Sequence, residues 1–397
     1  MNSLNARRNR ATGADPVMLE ALNHLKVFIR ALVSARVKSD EGFRRWKSEP
    51  ANEKLMADCF GYERLPGMPP VTAVCKPFFH PELPLIGLNY TPVAHNTLHK
   101  FPSGWTPVLR LCRGIVFSRR ASLVALPFEK FFNYGEHAET SDLQVLAQPF
   151  TATLKQDGHL AIIFQFQGKL LGTTRGSFLS ASSLIANRML SQRASHWLQP
   201  GVLDPDLTLL CELIHPETHV IVDYGDREDF ILLGARHRRS LEDLEYDRLE
   251  DLSRRLNLEL TRRWQGKGLA ELLELVKEPT YHNEEGFVVR FADGRRVKFK
   301  YAGYVSLMLG EKLTHRYVMM RLMDGSFDSR FADLDAEVQA LAEKLKDELM
   351  KAASLSGKRK DKRAYLLGLV PPEECTAYHK TVCGKFLTWL EAQGVAA

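Results

Sequence analysis

The stretch Lys155-Gln156-Asp157-Gly158 combines residue types at a spacing that invites chemistry. On a strand, a lysine and an acid two residues later share a face, and the glycine after them lets the backbone approach a ligand closely. Alone the pattern is weak, because a surface Lys-Asp pair before a turn is commonplace. Companion stretches give it weight. Arg113-Gly114-Ile115-Val116-Phe117 and Glu129-Lys130-Phe131-Phe132-Asn133-Tyr134 precede it, and Leu210-Cys211-Glu212-Leu213-Ile214-His215-Pro216 follows. Farther on come Glu284-Glu285-Gly286-Phe287-Val288-Val289 and Val297-Lys298-Phe299-Lys300. Lys298 and Lys300, two apart on a strand, point to one face while Val297 and Phe299 point to the other, so two ammonium groups can meet phosphates. Without Lys155 the same strand reads as an exposed edge carrying solvated lysines. The motifs GxxxxGK(S/T), HExxH, GxSxG and a strand-to-helix GxGxxG are missing. Any nucleotide site must therefore be assembled from separated segments.

Two other groupings could carry chemistry. Cys375, His379 and Cys383 fall at i, i+4, i+8 on one helix face, where soft ligands could meet a metal. No fourth ligand lies nearby, and a buried helix face with small thiols is the favoured reading, free cysteine being among the most buried residue types. The six cysteines include no CxxC pair, which argues against a disulfide scaffold or zinc ribbon and for free thiols in a reducing compartment. The net charge of +6, from 54 basic and 48 acidic residues, is informative only where it clusters. Clusters occur at Arg236-His237-Arg238-Arg239 and at Lys358, Arg359, Lys360, Lys362 and Arg363, with Lys344, Lys346 and Lys351 upstream. Either is equally a solvated face, so alone they favour nucleic acid only weakly.

The elements that must position these residues follow from composition and periodicity. With 397 residues, 45% hydrophobic and 26% charged, the chain is globular rather than disordered or collagen-like. Apolar runs such as Ile162–Phe166 and Ile231–Ala235 fall far short of the ~20 residues a membrane span needs, so a soluble, cytoplasmic protein is expected. No apolar run follows Arg7, Arg8 and Arg10, so no secretory signal is read; the acid-free stretch to Ala14 reads as a frayed basic arm, with an organellar presequence as the alternative. Residues 17–36 have helical spacing. Prolines are dense from Ser48 to Pro107, predicting extended segments with little helix. Between Leu109 and Lys300 the pattern is strand-like, with hairpins at Gln167-Gly168 and, through a two-residue primed turn, at Asp293-Gly294. Helical spacing interrupts it at Leu241–Trp264 and Leu269–Val276. After Val305 the spacing of Leu334, Val338, Leu341, Leu345 and Leu349 marks a long helix, and another runs from about Pro372 to Gly394. The fold class expected is α+β: a mainly antiparallel domain over 101–315, preceded by a helix and Pro-rich region over 1–100 and followed by a helical domain over 316–397.

The ordered set of motifs from Leu111 to Leu307 resembles the covalent nucleotidyltransferase superfamily of polynucleotide ligases and capping enzymes, most closely the bacteriophage-type ATP-dependent RNA ligase 1 family. The match through Glu285-Gly286-Phe287-Val288-Val289, Asp293-Gly294, Lys298-Phe299-Lys300 and Tyr304-Val305-Ser306-Leu307 is hard to obtain by accident. The resemblance implies that Lys155 attacks the α-phosphate of ATP and carries AMP as a phosphoramidate. It implies Arg113, Lys130, Asp157, Gly158, Lys298 and Lys300 as nucleotide contacts. Glu212 and Glu285 would be the acids of the pocket, ribose contact and Mg²⁺ site respectively, with Glu212 a further candidate for the metal. Phe132 would pack against the adenine, although either ring of Phe131-Phe132 could be plain core. Arg175 stands where the family often has lysine, and His159 where a small hydroxyl residue is usual. The implied reaction joins RNA 5′-phosphate and 3′-hydroxyl ends, tRNA among the candidate substrates, by a monomer that a separate kinase or phosphatase could assist. A DNA ligase or capping enzyme and a non-catalytic RNA-binding protein with a decayed pocket are the alternatives.

Overall fold

Asp15 opens the first helix: its carboxylate accepts the Val17 N–H at 3.0 Å, and Pro16 occupies the first turn of α1 (Pro16–Ser34). The chain is described here from a computed structural model over residues 15–141, 148–280, 282–328, 336–370, 372 and 375–393. The basic stretch before Asp15 and Leu334 of the expected long helix lie outside these residues. The buried face of α1 packs with α2 (Asp40–Lys47) and α3 (Pro50–Phe60) in one core, the Phe28 ring lying 5.8 Å from Trp46 and 5.1 Å from Phe60.

The proline-dense stretch departs from its extended reading. Pro50, Pro92 and Pro107 each stand in the first turn of a helix, at α3, α4 (Pro92–Thr97) and α5 (Pro107–Leu111), where the missing N–H would have had no partner anyway. Between them, β1 (Cys75–Phe79) and β2 (Leu85–Tyr90) form an antiparallel sheet with β3 (Arg113–Ser118) and β4 (Leu123–Ala125), in the order β1-β2-β3-β4.

The chain continues through β5 (Phe132–Asn133), α6 (Ala138–Ser141), β6 (Phe150–Lys155), β7 (His159–Phe166), β8 (Lys169–Thr173), α7 (Ala181–Trp197), β9 (Leu207–Ile214), β10 (Asp229–His237), α8 (Tyr246–Leu256), β11 (Glu259–Leu260), α9 (Leu269–Val276), β12 (Gly286–Phe291) and β13 (Arg296–Lys300). A second sheet runs β11-β10-β9-β7-β8 and a third β5-β13-β12-β6. Apart from the short parallel pairs β10–β11 and β5–β13, the registered ladders are antiparallel, as expected. One face of the second sheet buries Ile163, Leu209, Cys211 and Leu232 against Ile185, Leu190 and Trp197 of α7 and Leu252 of α8. The β7–β8 hairpin turns through Gln167 and Gly168, both at positive φ (51° and 73°), the primed turn this dipeptide suits. The β12–β13 hairpin corrects the expected two-residue turn. Phe291 pairs with Arg295, the Gly294 N–H closes a turn on the Phe291 carbonyl, and only Gly294 takes positive φ (86°). This is a type I turn followed by a left-handed residue, with Asp293 held by hydrogen bonds to the Arg295 N–H and guanidinium.

By internal contacts the chain divides into two compact units, Met1–Gln265 with Phe287–Phe299 and Gly266–Gly286 with Lys300–Ala397. The second continues through α10 (Ala302–Lys312), α11 (His315–Met323), α12 (Ala336–Ser354), α13 (Arg359–Gly368) and α14 (Ala377–Ala392) around Val318, Leu349, Leu366 and Phe386. After Lys300 every regular element among the described residues is helical. No described helix is long and apolar enough to cross a membrane.

The first basic run is structural rather than a free surface. Arg236 reaches Asp243 at 2.7 Å, and Asp206 takes Arg238 at 2.8 Å and Arg239 at 2.5 Å. Asp243 is also approached by Arg290 and Arg296. In the second run, Arg359 pairs with Glu391 and bonds Thr388, while Lys362 donates to the Ala353 carbonyl at 3.0 Å. All six cysteines are free thiols; five are buried and Cys375 is half-buried. Burial, reinforced by the negative charges of Asp58 and Cys375 respectively, pushes Cys59 and Cys383 up to about 11. His379 and Cys383 of α14 are buried, with Nε2 3.4 Å from Sγ, whereas Cys375 precedes the helix, so the expected three-residue helix face reduces to these two core residues.

Candidate nucleotide site

Strand β6 ends at Lys155, and its register is fixed by a neighbouring segment: Leu154 N–H donates to the Arg262 carbonyl and the Thr261 hydroxyl to the Leu154 carbonyl, at 2.9 and 2.7 Å. The turn that follows is pinned by Tyr224, whose hydroxyl accepts the Asp157 N–H at 3.0 Å and donates to Gln156 at 3.1 Å. Because the strand stops at Lys155, its alternation does not extend to Asp157. The buried Asp157 carboxylate instead accepts the backbone N–H groups of Ile221 and Val222 at 2.9 and 2.8 Å. Gly158 does permit a close approach, but to β9. A Cβ there would collide with the Leu213 carbonyl oxygen, and the Gly158 N–H donates to Glu212 Oε1 at 3.0 Å. Glu212 is buried in the middle of β9, facing Leu160 of β7 and Ile231 of β10.

Around this turn the first unit gathers cations. Arg113, at the start of β3, holds its guanidinium 5.3 Å from the Phe131 ring centre and donates to the Phe128 carbonyl at 3.4 Å. Arg175 reaches the Tyr90 hydroxyl at 2.6 Å. Lys130 is 3% exposed, with Nζ 4.4 Å from the Phe132 ring, 5.5 Å from Trp105 and 3.8 Å from Glu136. Burial, joined by the charges of Arg113, Arg175 and Arg110 against the pull of Glu136, pushes its ammonium down to about 8. Lys298 of β13 lies 4.9 Å from the Phe131 ring; burial and then Lys130, Arg113 and Lys155 hold it well below its ordinary value. Glu136 is the acid opposing these shifts. Burial would raise it, but Lys130 and the Asn133 N–H outweigh that and hold it below the usual carboxylate range. Arg113, Lys130, Lys155, Arg175 and Lys298 thus form one electrostatic neighbourhood whose excess positive charge calls for a polyanion.

Phe132 is fully buried and stacked on His137 at 4.4 Å with Lys130 and Arg110 over its ring, while Phe131 lies beside Arg113 and Lys298. Tyr90, Glu136 and Tyr224 escaped sequence reasoning, since nothing in their local spacing sets them apart.

Glu285 and Lys300 belong to the second unit. Glu285 is 2% exposed and pairs with Lys300 Nζ at 2.8 Å, while its carbonyl accepts the Tyr301 N–H. Gly286 follows at φ 140°. Val297 and Phe299 are buried, so the alternation read for β13 holds. Glu284 instead accepts the Tyr301 hydroxyl, and burial with the Glu284 charge pushes that phenol up to about 12. Glu212 and Glu285 offer carboxylate oxygens, the donors Mg²⁺ takes. Among the described residues a further trio, Asp204, Asp206 and His237, lies close enough to share a cation, but Asp206 is already bound by two arginines.

Comparison with known proteins matches residues 111–304 to the family described as RNA ligase. A protein of Thermovibrio ammonificans provisionally named an RNA ligase is 30% identical over 195 residues, 47% of this chain and 49% of the relative, so the chain spans about half the length of that curated relative. Among solved structures, an RNA ligase of Naegleria gruberi with PPi is 19% identical over 40% of this chain and 51% of its own, with a TM-score of 0.33. An archaeal ATP-dependent RNA ligase is 15% identical over 76% of this chain and 73% of its own, with a TM-score of 0.40. The similarity to RNA ligases thus runs through the stretch 111–304, which carries Lys155 and the cations around it.

Proposed function

We propose that this chain is an ATP-dependent RNA ligase acting through a covalent lysyl-AMP on Lys155. The observation that carries the reading is the gathering of Arg113, Lys130, Arg175 and Lys298 in the unit that holds Lys155, within the matched segment. In the first step the Lys155 amine forms a bond to the α-phosphorus of ATP, the bond to the β-phosphate oxygen breaks, and the amine loses a proton as pyrophosphate leaves. Cations beside the phosphates stabilise the charge that builds on the leaving group. An RNA 5′-phosphate then takes AMP from the lysine, and an RNA 3′-hydroxyl displaces AMP to form the phosphodiester. Asp157 and Gly158 hold the turn that aims Lys155, Glu212 serves the ribose side, and Lys300 adds to the phosphate contacts. Glu285, with Glu212 as a further candidate, is the acid that would hold Mg²⁺, and the ion would supply neutralisation of phosphate charge. Residues 101–315 are proposed as the nucleotidyltransferase domain and 316–397 as a helical domain that serves RNA. The helices after Lys300 support this reading over a DNA ligase or capping enzyme, whose nucleotidyltransferase domain is followed by a β-barrel. Repair of broken RNA in the cytoplasm, with ends prepared by a separate enzyme, is the corresponding role.

The test is incubation with α-labelled ATP and Mg²⁺ followed by denaturation. Wild type should retain label and Lys155→Ala none. Label retained by Lys155→Ala overturns the assignment.

A further inference from the structure

The matched segment begins at residue 111, yet the cation neighbourhood has members before it. Tyr90, the last residue of β2, is buried, and its hydroxyl accepts from Arg175 at 2.6 Å, with the Arg175 guanidinium 4.8 Å from its ring. His95, on α4 immediately after, stacks its ring on Tyr90 at 6.3 Å and 25°. The charged groups acting on this imidazole come from four elements: Lys130 and Glu136 from the segments flanking β5, Lys298 from β13 and Arg175 from the loop after β8. His95 therefore stands with the very side chains that would meet the polyphosphate of a nucleotide, on a residue that remains solvent-accessible.

We propose that His95 is a further binding residue of this site, contacting the β- and γ-phosphate oxygens of the nucleoside triphosphate and the pyrophosphate released from it. The inference rests on the nucleotidyl-transfer reading above. Its logic is one of charge. Another lysine among Lys130, Lys298 and Arg175 would repel them, whereas a neutral imidazole offers an N–H donor without adding charge. Partial desolvation, then Lys130, Lys298 and Arg175 against Glu136, push the imidazole down to about 4, so it is neutral at pH 7 before ligand arrives. A polyanion reverses the sign of the local potential and strengthens the bond by favouring the imidazolium. Tyr90 is the positioning residue that holds both the imidazole and Arg175.

The experiment compares full-length wild type, His95→Ala and His95→Gln, the last restoring a neutral N–H donor, with thermal melts confirming that each folds. Calorimetric binding of inorganic pyrophosphate and of ATP is measured beside the KM and kcat of lysyl-AMP formation. His95→Ala should weaken pyrophosphate binding and raise the KM for ATP about tenfold, the loss of one charged hydrogen bond, with kcat changed less; His95→Gln should recover part of the loss. Unchanged pyrophosphate binding and ATP KM in a folded His95→Ala protein would overturn the proposal. Should wild type bind pyrophosphate through His95 yet form no lysyl-AMP, the failure would lie in the ligase reading and the polyphosphate contact would stand.

Discussion

Lys130 shows how burying a charge among other cations trades against stability at a single residue. Its folded pKa of about 8 lies below the ordinary lysine value of 10.5. The sign follows directly. Below pH 8 the ammonium is charged in both states and folding must bury it, whereas above about 10.5 it is neutral in both and that cost is gone. Stability from this group therefore rises with pH across 8 to 10.5. Lys130→Met, which keeps the stem against Phe132 and Trp105, should raise stability at pH 7 by about 1–3 kcal/mol while sharply lowering lysyl-AMP formation. Chemical denaturation at pH 7 and pH 10 checks this, because the gain should shrink at the higher pH. Sequence reasoning singled out Lys130 but not the burial that tunes it, since burial depends on Trp105 and Phe132 brought together by folding.

At the scale of elements, the contact between the Lys155 turn and β9 depends on Gly158. Gly158→Ala should cost about 2–3 kcal/mol, as expected when a Cβ is forced against backbone in a packed ladder. Gly294→Ala, at positive φ but in open space, should cost only about 1 kcal/mol. Urea midpoints of the two variants provide the comparison. Asp243 ties Arg236, Arg290 and Arg296 together, joining β10 to the β12–β13 hairpin. Burial would raise its carboxyl, but Arg296 and then Arg236 outweigh it and hold it below the usual range. A depressed carboxylate gives stability above its unfolded pKa that is lost as pH falls through the folded one. Asp243→Asn should therefore destabilise by ~3–5 kcal/mol at pH 7, with the difference narrowing in acid.

Period-two and period-three patterns made the strands and long helices legible because they are local. The β7–β8 turn was legible too, since its dipeptide supplies the positive φ angles. What escaped were outcomes set by partners far along the chain. Pro50 and Pro92 read as helix breakers until the helices they begin were packed, and the 236–239 run read as a free basic face until Asp206 and Asp243 met it. Asp157 read as the companion of Lys155, but the strand ends at Lys155, two residues before it. Lys155, the proposed nucleophile, and the cations beside it were singled out by motif, while Tyr90 and His95 were not, because no pattern joins them to those residues in sequence.

For the molecule as a whole, the second basic run divides by role. Arg359 and Lys362 hold α13 to its surroundings, whereas Lys358, Lys360 and Arg363 form no ion pair among the described residues. Changing those three to Gln should leave lysyl-AMP formation near wild type and weaken joining of 5′-phosphorylated RNA. The logarithmic salt slope should fall by ~0.7 for each single-strand phosphate that the variant no longer neutralises. Joining measured over a salt series decides it; an unchanged slope would make the run a solvated turn.

The thiols offer a handle for watching the molecule open. A maleimide acts on thiolates, and in the native protein Cys375 alone among the cysteines is not buried. One fluorophore can therefore be attached there without engineering. The other five cysteines become a built-in clock: the rate at which Cys59, Cys75, Cys112 and Cys211 take up reagent reports how often the first unit breathes, and that of Cys383 reports the second.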